Sequence, residues 1–259
     1  MKGIPMIRPG FLAILVLITL GDASRGQEPS TRAVAAIEKL GGKVEVGRDA
    51  PGKPVIVVNL CQTKVTDADL ERLNAFAALQ ELYLNDTGIT NTGLARLKGL
   101  KQLVFLQLGH TKITDQGLTH VEPLTQLREV LLDSTAVSDA GLAHLKKLPR
   151  LQTLYLNKTN VGDDGIANLK GSPLLQMLSL QNTRVTNNGL AHLKDLRSLD
   201  WLDLTDTVVS DAGIPHLKKL PKLKVLILTG TRVTPAGVMN LRKAFPKAKI
   251  VGSGAPRII

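Results

Sequence analysis

The chain has 259 residues, 43% of them hydrophobic, and a formal net charge of +11. That is ample for a buried core within one domain. The only cysteine, Cys61, excludes an intrachain disulfide, and a single thiol offers neither a metal cluster nor a catalytic dyad. The positive balance invites a nucleic-acid or anionic-membrane partner, a reading that the placement of the charges weakens.

Residues 1–23 read as an export signal. Lys2 and Arg8 precede the apolar run FLAILVLITL (11–20), which is too short to span a bilayer comfortably, and small residues follow to Ala23. An uncleaved anchor is the alternative, and with no cysteine after the run a lipid-modified terminus is not expected. The mature chain is then exported, periplasmic or secreted, with no transmembrane span. Residues 24–55 form an N-terminal linker and cap: TRAVAAIEKLGG (31–42) predicts an amphipathic helix with a glycine stop, KVEV (43–46) a first strand, and GRDAPGKP a turn.

Residues 56–246 hold eight 24-residue repeats without insertion or deletion. Thr63, Thr87, Thr111, Thr135, Thr159, Thr183, Thr207 and Thr231 mark the period in the frame LxxLxLxxTxVTDxGLxxLxxL. A fixed period of this length is the signature of a solenoid. In each unit LxLxx alternates as a strand does, as in Leu154-Tyr155-Leu156, so the leucines face a core and the residues between them face outward. Copies of one strand stack as a parallel sheet. The second half predicts a short helix, with leucine-like positions three apart, such as Leu142 and Leu145, on its buried stripe.

A hydroxyl precedes every helix of the repeats but one (Thr66, Thr90, Thr114, Ser138, Thr186, Ser210, Thr234) and is expected to cap its first turn. Asp67, Asp115, Asp139, Asp163 and Asp211 come next, suiting the positive end of the helix. Gly162 breaks the capping phase, so Asp163 is expected to cap there. Gly93, Gly117, Gly141, Gly165, Gly189, Gly213 and Gly237 recur within the first turn, which suggests close packing between coils. The periodic threonines follow the strands and form a structural ladder, each hydroxyl bonding backbone of its own or the adjacent coil. Residues 247–259 supply a C-terminal cap strand, KAKIV (247–251), and a frayed tail.

These units resemble leucine-rich repeats, most closely the cysteine-containing, ribonuclease-inhibitor-like group, with threonine where asparagine or cysteine usually stands. The AIEKLGGKV start at 36–44 resembles that of repeat proteins abundant in planctomycete-type bacteria. The resemblance covers roughly 31–251. It implies an α/β right-handed leucine-rich-repeat solenoid, a horseshoe with a concave parallel β-sheet and short outer helices. It also implies protein binding as the default activity, by analogy of fold.

The outward strand positions form rows on the expected concave face. Of the seven aromatics of the chain, Tyr83, Phe105, Tyr155 and Trp201 lie there, while Phe76 and Phe245 read as packing residues. Exposed aromatics on a rigid sheet are enriched at binding hot spots, although strand propensity also favours them. Met177, Trp201, Val225 and Ile227 form the expected apolar anchor, and Tyr83 with Phe105 a second. The rows carry the acids Glu81, Asp86, Glu129, Asp133, Asp203 and Asp206 against one base, Lys158, whereas lysines and arginines such as Lys146, Arg150 and Lys222 lie in helix-to-strand turns. A nucleic-acid reader wants the reverse arrangement.

His120, His144, His192 and His216 share one helical phase, but Arg72, Arg96 and Asn168 occupy it too, so it reads as an exposed position rather than a metal site. His110 lies near Asp86 and Asp133 by register, with no nucleophile fixed beside it. The expected activity is a non-catalytic scaffold, monomeric and without cofactor or metal, binding a protein or peptide through Trp201, Asp203, Met177, Val225, Ile227, Tyr155, Tyr83, Phe105, Asp133 and Glu129. The alternatives are a structural envelope protein using its basic rim and, third, an enzyme.

Overall fold

The structure is a computed structural model that describes residues 29–47 and 53–252. The expected export signal and residues 253–259 of the tail lie outside them, as does most of the turn expected after β1.

After a helix at Pro29–Lys39, ten strands form one sheet in chain order: β1 Lys43–Val46, β2 Val55–Asn59, β3 Glu81–Tyr83, β4 Phe105–Gln107, β5 Glu129–Leu131, β6 Thr153–Tyr155, β7 Met177–Ser179, β8 Trp201–Asp203, β9 Val225–Leu228 and β10 Lys249–Gly252. From β2 onward neighbours are parallel and in step, so Tyr83 pairs with Gln107 and Tyr155 with Ser179. The opening strand differs: β1 runs antiparallel to β2 with an irregularity at Glu45/Val46. A short helical segment such as Asp139–Leu145 follows each strand from β2 to β9. This is a solenoid-like α/β repeat architecture, in which each coil buries its apolar side chains between its own strand and helix and against its neighbours. In one central coil Leu127, Val130, Leu132, Val137, Leu142, Leu145 and Leu148 are all at most 1% exposed. Each such burial contributes about 1.5–3 kcal/mol, the largest favourable contribution in a coil. Phe76 is buried and Phe245 packs against the same core.

The periodic threonines bond within their own coil. Each Oγ1, from Thr63 to Thr231, donates to the leucine carbonyl three residues earlier at 2.6–2.7 Å. That carbonyl lies where the strand ends, and the hydroxyl gives it a partner as the chain turns inward. The turn has a second feature. The residue before each threonine has positive φ, from 52° at Asn182 to 72° at Gly230, including Gln62, Asp86, His110, Ser134, Lys158 and Asp206.

The hydroxyls before the helices do less than the capping pattern predicts. Thr90, Thr186 and Thr234 accept a bond from their own helix, whereas Thr114, Ser138 and Ser210 do not. The acidic residues act between coils instead. Asp115 accepts from the Ser138 N–H at 2.7 Å and from Ser138 Oγ at 2.6 Å, in the next coil. Asp67 holds Thr90 in this way, Asp163 holds Thr186 and Asp211 holds Thr234. Asn91 and Asn187 make the equivalent links to Thr114 and Ser210. The expectation that Asp163 caps its own helix is therefore corrected: it reaches forward to Thr186, and the Gly162 N–H is held by Asp139 at 2.6 Å.

The periodic glycines follow from these clasps. A Cβ on Gly141 or Gly165 would lie 2.5 Å from the Oδ1 of Asp115 or Asp139. The first coil has Asp69 in the glycine phase. Its carboxylate accepts from Thr66 N–H and Oγ1, at 3.0 and 2.7 Å, the two groups that a preceding coil would otherwise hold. The last coil has Pro235 in the clasping phase, so the chain of clasps stops there.

Candidate binding face

One face of the sheet is covered by the helices. The other carries the first and third residues of each three-residue strand, as in Trp201 and Asp203 around the buried Leu202, and the in-step register brings those positions into rows across the strands. Trp201, Asp203, Met177, Val225, Ile227, Tyr155, Tyr83, Asp133 and Glu129 are all partly exposed there. Phe105 departs from expectation: it is only 4% exposed. Its ring centroid lies 4.7 Å from that of Tyr83, tilted by 41°. The Tyr83 hydroxyl donates to Glu81 Oε2 at 2.6 Å. Phe105 thus packs with Tyr83 rather than standing exposed beside it.

Trp201, one of the expected apolar anchor residues, has a ring partner outside that group. Trp201 on β8 stacks on Tyr155 on β6, with centroids 5.9 Å apart and planes within 12°. Two strand spacings separate their backbones, roughly 9–10 Å, so both side chains lean over β7. Ser179, the β7 residue in register with Tyr155 and Asp203, makes this feasible. It is small, 2% exposed, and its Oγ donates to Asn157 Oδ1 at 2.6 Å. No pairing of Tyr155 with Trp201 follows from adjacency in a row; the small residue between them was the available signal. Offset stacking of this kind adds about 0.5–1.5 kcal/mol beyond area burial and holds the two rings in one geometry.

Carboxylates surround the pair. Asp133 Oδ1 accepts the Asn157 N–H at 2.9 Å, and Asp203 Oδ1 accepts the Thr205 N–H at 2.8 Å and the Thr205 hydroxyl. These backbone bonds fix both side chains in place. Burial pushes the Asp133 carboxyl above its ordinary value, against the opposing pull of the Asn157 bonds and of His110 and Lys158. Tyr155 is pushed up too, first by burial and then by the negative charges of Asp133, Glu129 and Asp203. The aromatic pair therefore sits in a field made by three acids.

The His110 N–H donates to the Asp133 backbone carbonyl at 2.8 Å, but among the described residues no side-chain hydrogen bond or ion pair joins His110 to Asp86 or Asp133, and no group of three or more His, Cys, Asp or Glu could hold a metal. Cys61 is half-buried, and its thiol is pushed up by burial. His144 does not stand alone on its helix: Nδ1 lies 2.6 Å from Glu122 Oε1, beside Lys147. Several rim cations are paired, Lys147 with Glu122, Lys224 with Asp200 and Arg96 with Glu71. No described helix is long and apolar enough to cross a membrane.

An internalin C2 from Listeria monocytogenes has a similar structure, with a TM-score of 0.58 at 24% identity, over 86% of this chain and 96% of that one. The chain has a leucine-rich-repeat type of fold. In all, 475 chains of solved structures match, so the likeness speaks to architecture and leaves function to the particular side chains. No protein-family model matches the chain, and no curated protein does.

Proposed function

We propose that this chain is an exported, non-catalytic leucine-rich-repeat scaffold that binds a protein or peptide on the sheet face bearing Tyr155 and Trp201. In this reading the array is a right-handed horseshoe of the cysteine-containing repeat type and that face is its concave side. The observation that carries the proposal is the Tyr155–Trp201 stack. Two large rings are fixed over a buried serine, only partly exposed, and flanked by anchored carboxylates. Rigid aromatics that need no reordering are the residues that dominate binding energy at protein interfaces. Pairing of Lys147 and Lys224 with acids leaves the basic rim the weaker candidate surface.

The test is selection of peptides from a displayed random library on the wild-type protein, followed by binding to a Trp201→Ala/Asp203→Asn variant. The selected peptides should lose binding to the variant while its thermal unfolding stays cooperative. Equal binding to both proteins would place the activity elsewhere.

A further inference from the structure

We propose that the partner presents an arginine side chain to the Tyr155–Trp201 stack, its guanidinium lying against the rings within the shared negative field of Asp133, Glu129 and Asp203. This rests on the reading of that face as a binding surface and names the chemistry of its occupant.

Three observations select a guanidinium. First, the rings are near parallel, within 12°, and a planar cation stacks on aromatic faces where an ammonium cannot use its shape. Second, three carboxylates stand beside the rings. Glu129 and Asp133 border Tyr155 from β5 and the turn after it, and Asp203 borders Trp201 on its own strand. Ionised carboxylates accept only, so they suit an all-donor group better than a sugar, which offers donors and acceptors together. Third, Asp133 and Asp203 are already oriented by their Oδ1 bonds to backbone amides, so no side chain has to be ordered on binding.

The charge of the whole chain limits the occupant. At +11 the protein repels a polycation at long range. The fitting partner is therefore a segment with one arginine and an apolar neighbour for Met177, Val225 and Ile227, which flank Trp201 on β7 and β9.

Trp201 is the only tryptophan of the chain, so its fluorescence reports this site directly. The probe is a short blocked peptide with one leucine and one arginine, titrated beside its citrulline twin, which keeps the shape and removes the charge. The expected result is a saturable change in Trp201 emission with the arginine peptide and about tenfold or more weaker binding of the citrulline form. Asp203→Asn and Asp133→Asn should each lower affinity for the arginine peptide by more than they lower it for the citrulline form. Equal binding of the two peptides overturns the proposal, as does no response up to roughly 10 mM, where affinity ceases to be useful. A response to a soluble oligosaccharide with none to arginine also overturns it. If library-selected peptides lose binding with Trp201→Ala/Asp203→Asn but bind equally well with citrulline in place of arginine, the binding face stands and the cationic occupant alone fails.

Discussion

Asp115 and Gly141 compete for one space: the Cβ that Gly141 lacks would lie 2.5 Å from Asp115 Oδ1, in the coil before it. That oxygen is held there by the Ser138 amide at 2.7 Å. Gly141→Ala should therefore destabilise by more than the helix propensity of alanine returns, a net loss of about 1–3 kcal/mol of the kind seen on overpacking. Asp115→Ala should cost about 2–3 kcal/mol, because it strips a charged acceptor from two donors. The double variant should cost less than the sum, since the carboxylate that the new methyl meets is gone. Denaturant titrations of the four proteins measure the coupling; strict additivity would refute the shared-space account.

The Thr135 hydroxyl donates to Leu132 O at 2.6 Å with the side chain 6% exposed. Thr135→Val keeps the volume and leaves the carbonyl without that donor, so it should cost about 1–3 kcal/mol. The same change at Thr63 should cost less, because that side chain is only partly buried in the first coil. Equal melting temperatures for wild type and Thr135→Val would show that the hydroxyl does not matter.

Much of this architecture is legible in the sequence because both periods are strict. The alternation of Leu154-Tyr155-Leu156 fixes which residues face the core, and the 24-residue spacing fixes the register of the parallel strands. The direction of β1 is not legible, since four residues, KVEV, pair equally well either way round. Nor is the destination of a side chain that can reach two places: Asp163 suits its own helix electrostatically, yet the amide and hydroxyl of Thr186 offer it two donors. At the site, alternation correctly places Trp201 and Tyr155 on the outward face. It also places Phe105 there, yet that ring is only 4% exposed and packs against Tyr83. Which rings touch depends on side-chain torsions and on the small Ser179 between them, and period alone carries neither.

Lys158 has φ of 55°, in the left-handed region, while the same phase holds Asn182 and Gly230. A non-glycine residue there costs about 1–2 kcal/mol, less for asparagine, whose short polar side chain is compatible with this backbone. Lys158→Asn should raise stability by about 0.5–1 kcal/mol, seen as a higher Tm. A lower Tm would mean that the lysine makes a contribution larger than its strain.

The raised folded-state value of Asp133 has a definite sign in linkage. Burial keeps its proton on in the native state at a pH where the unfolded chain has already released it. The folded state then binds more protons, so the contribution of Asp133 to stability is present below the ordinary carboxylate value and is lost as pH rises through the raised folded value. Asparagine is neutral and retains an oxygen for the Asn157 amide, now 2.9 Å from Asp133 Oδ1. Asp133→Asn should therefore melt higher than wild type at neutral pH, with the difference shrinking on acidification through that window. A constant difference across pH would assign the effect to packing.

Ser179 is the hinge of the aromatic pair. It lies on β7 between Tyr155 and Asp203 in register, 2% exposed, on the strand that separates the two stacked rings. Ser179→Leu puts a branched side chain where the two rings converge. The strand itself tolerates leucine, which occupies the equivalent position as Leu131 on β5 and is 7% exposed there. The loss of the 2.6 Å bond to Asn157 is partly offset, because Asn157 Oδ1 still accepts the Gln181 N–H at 2.9 Å. The fold should therefore lose only about 1–2 kcal/mol, while the near-ultraviolet circular dichroism that reports coupled aromatic rings should fall and Trp201 emission should shift. If the stack is the anchor of the binding face, peptides selected on the wild type should weaken on this variant even though Trp201, Tyr155 and every carboxylate remain. Unchanged aromatic dichroism together with unchanged binding would show that Ser179 does not set the geometry of the rings.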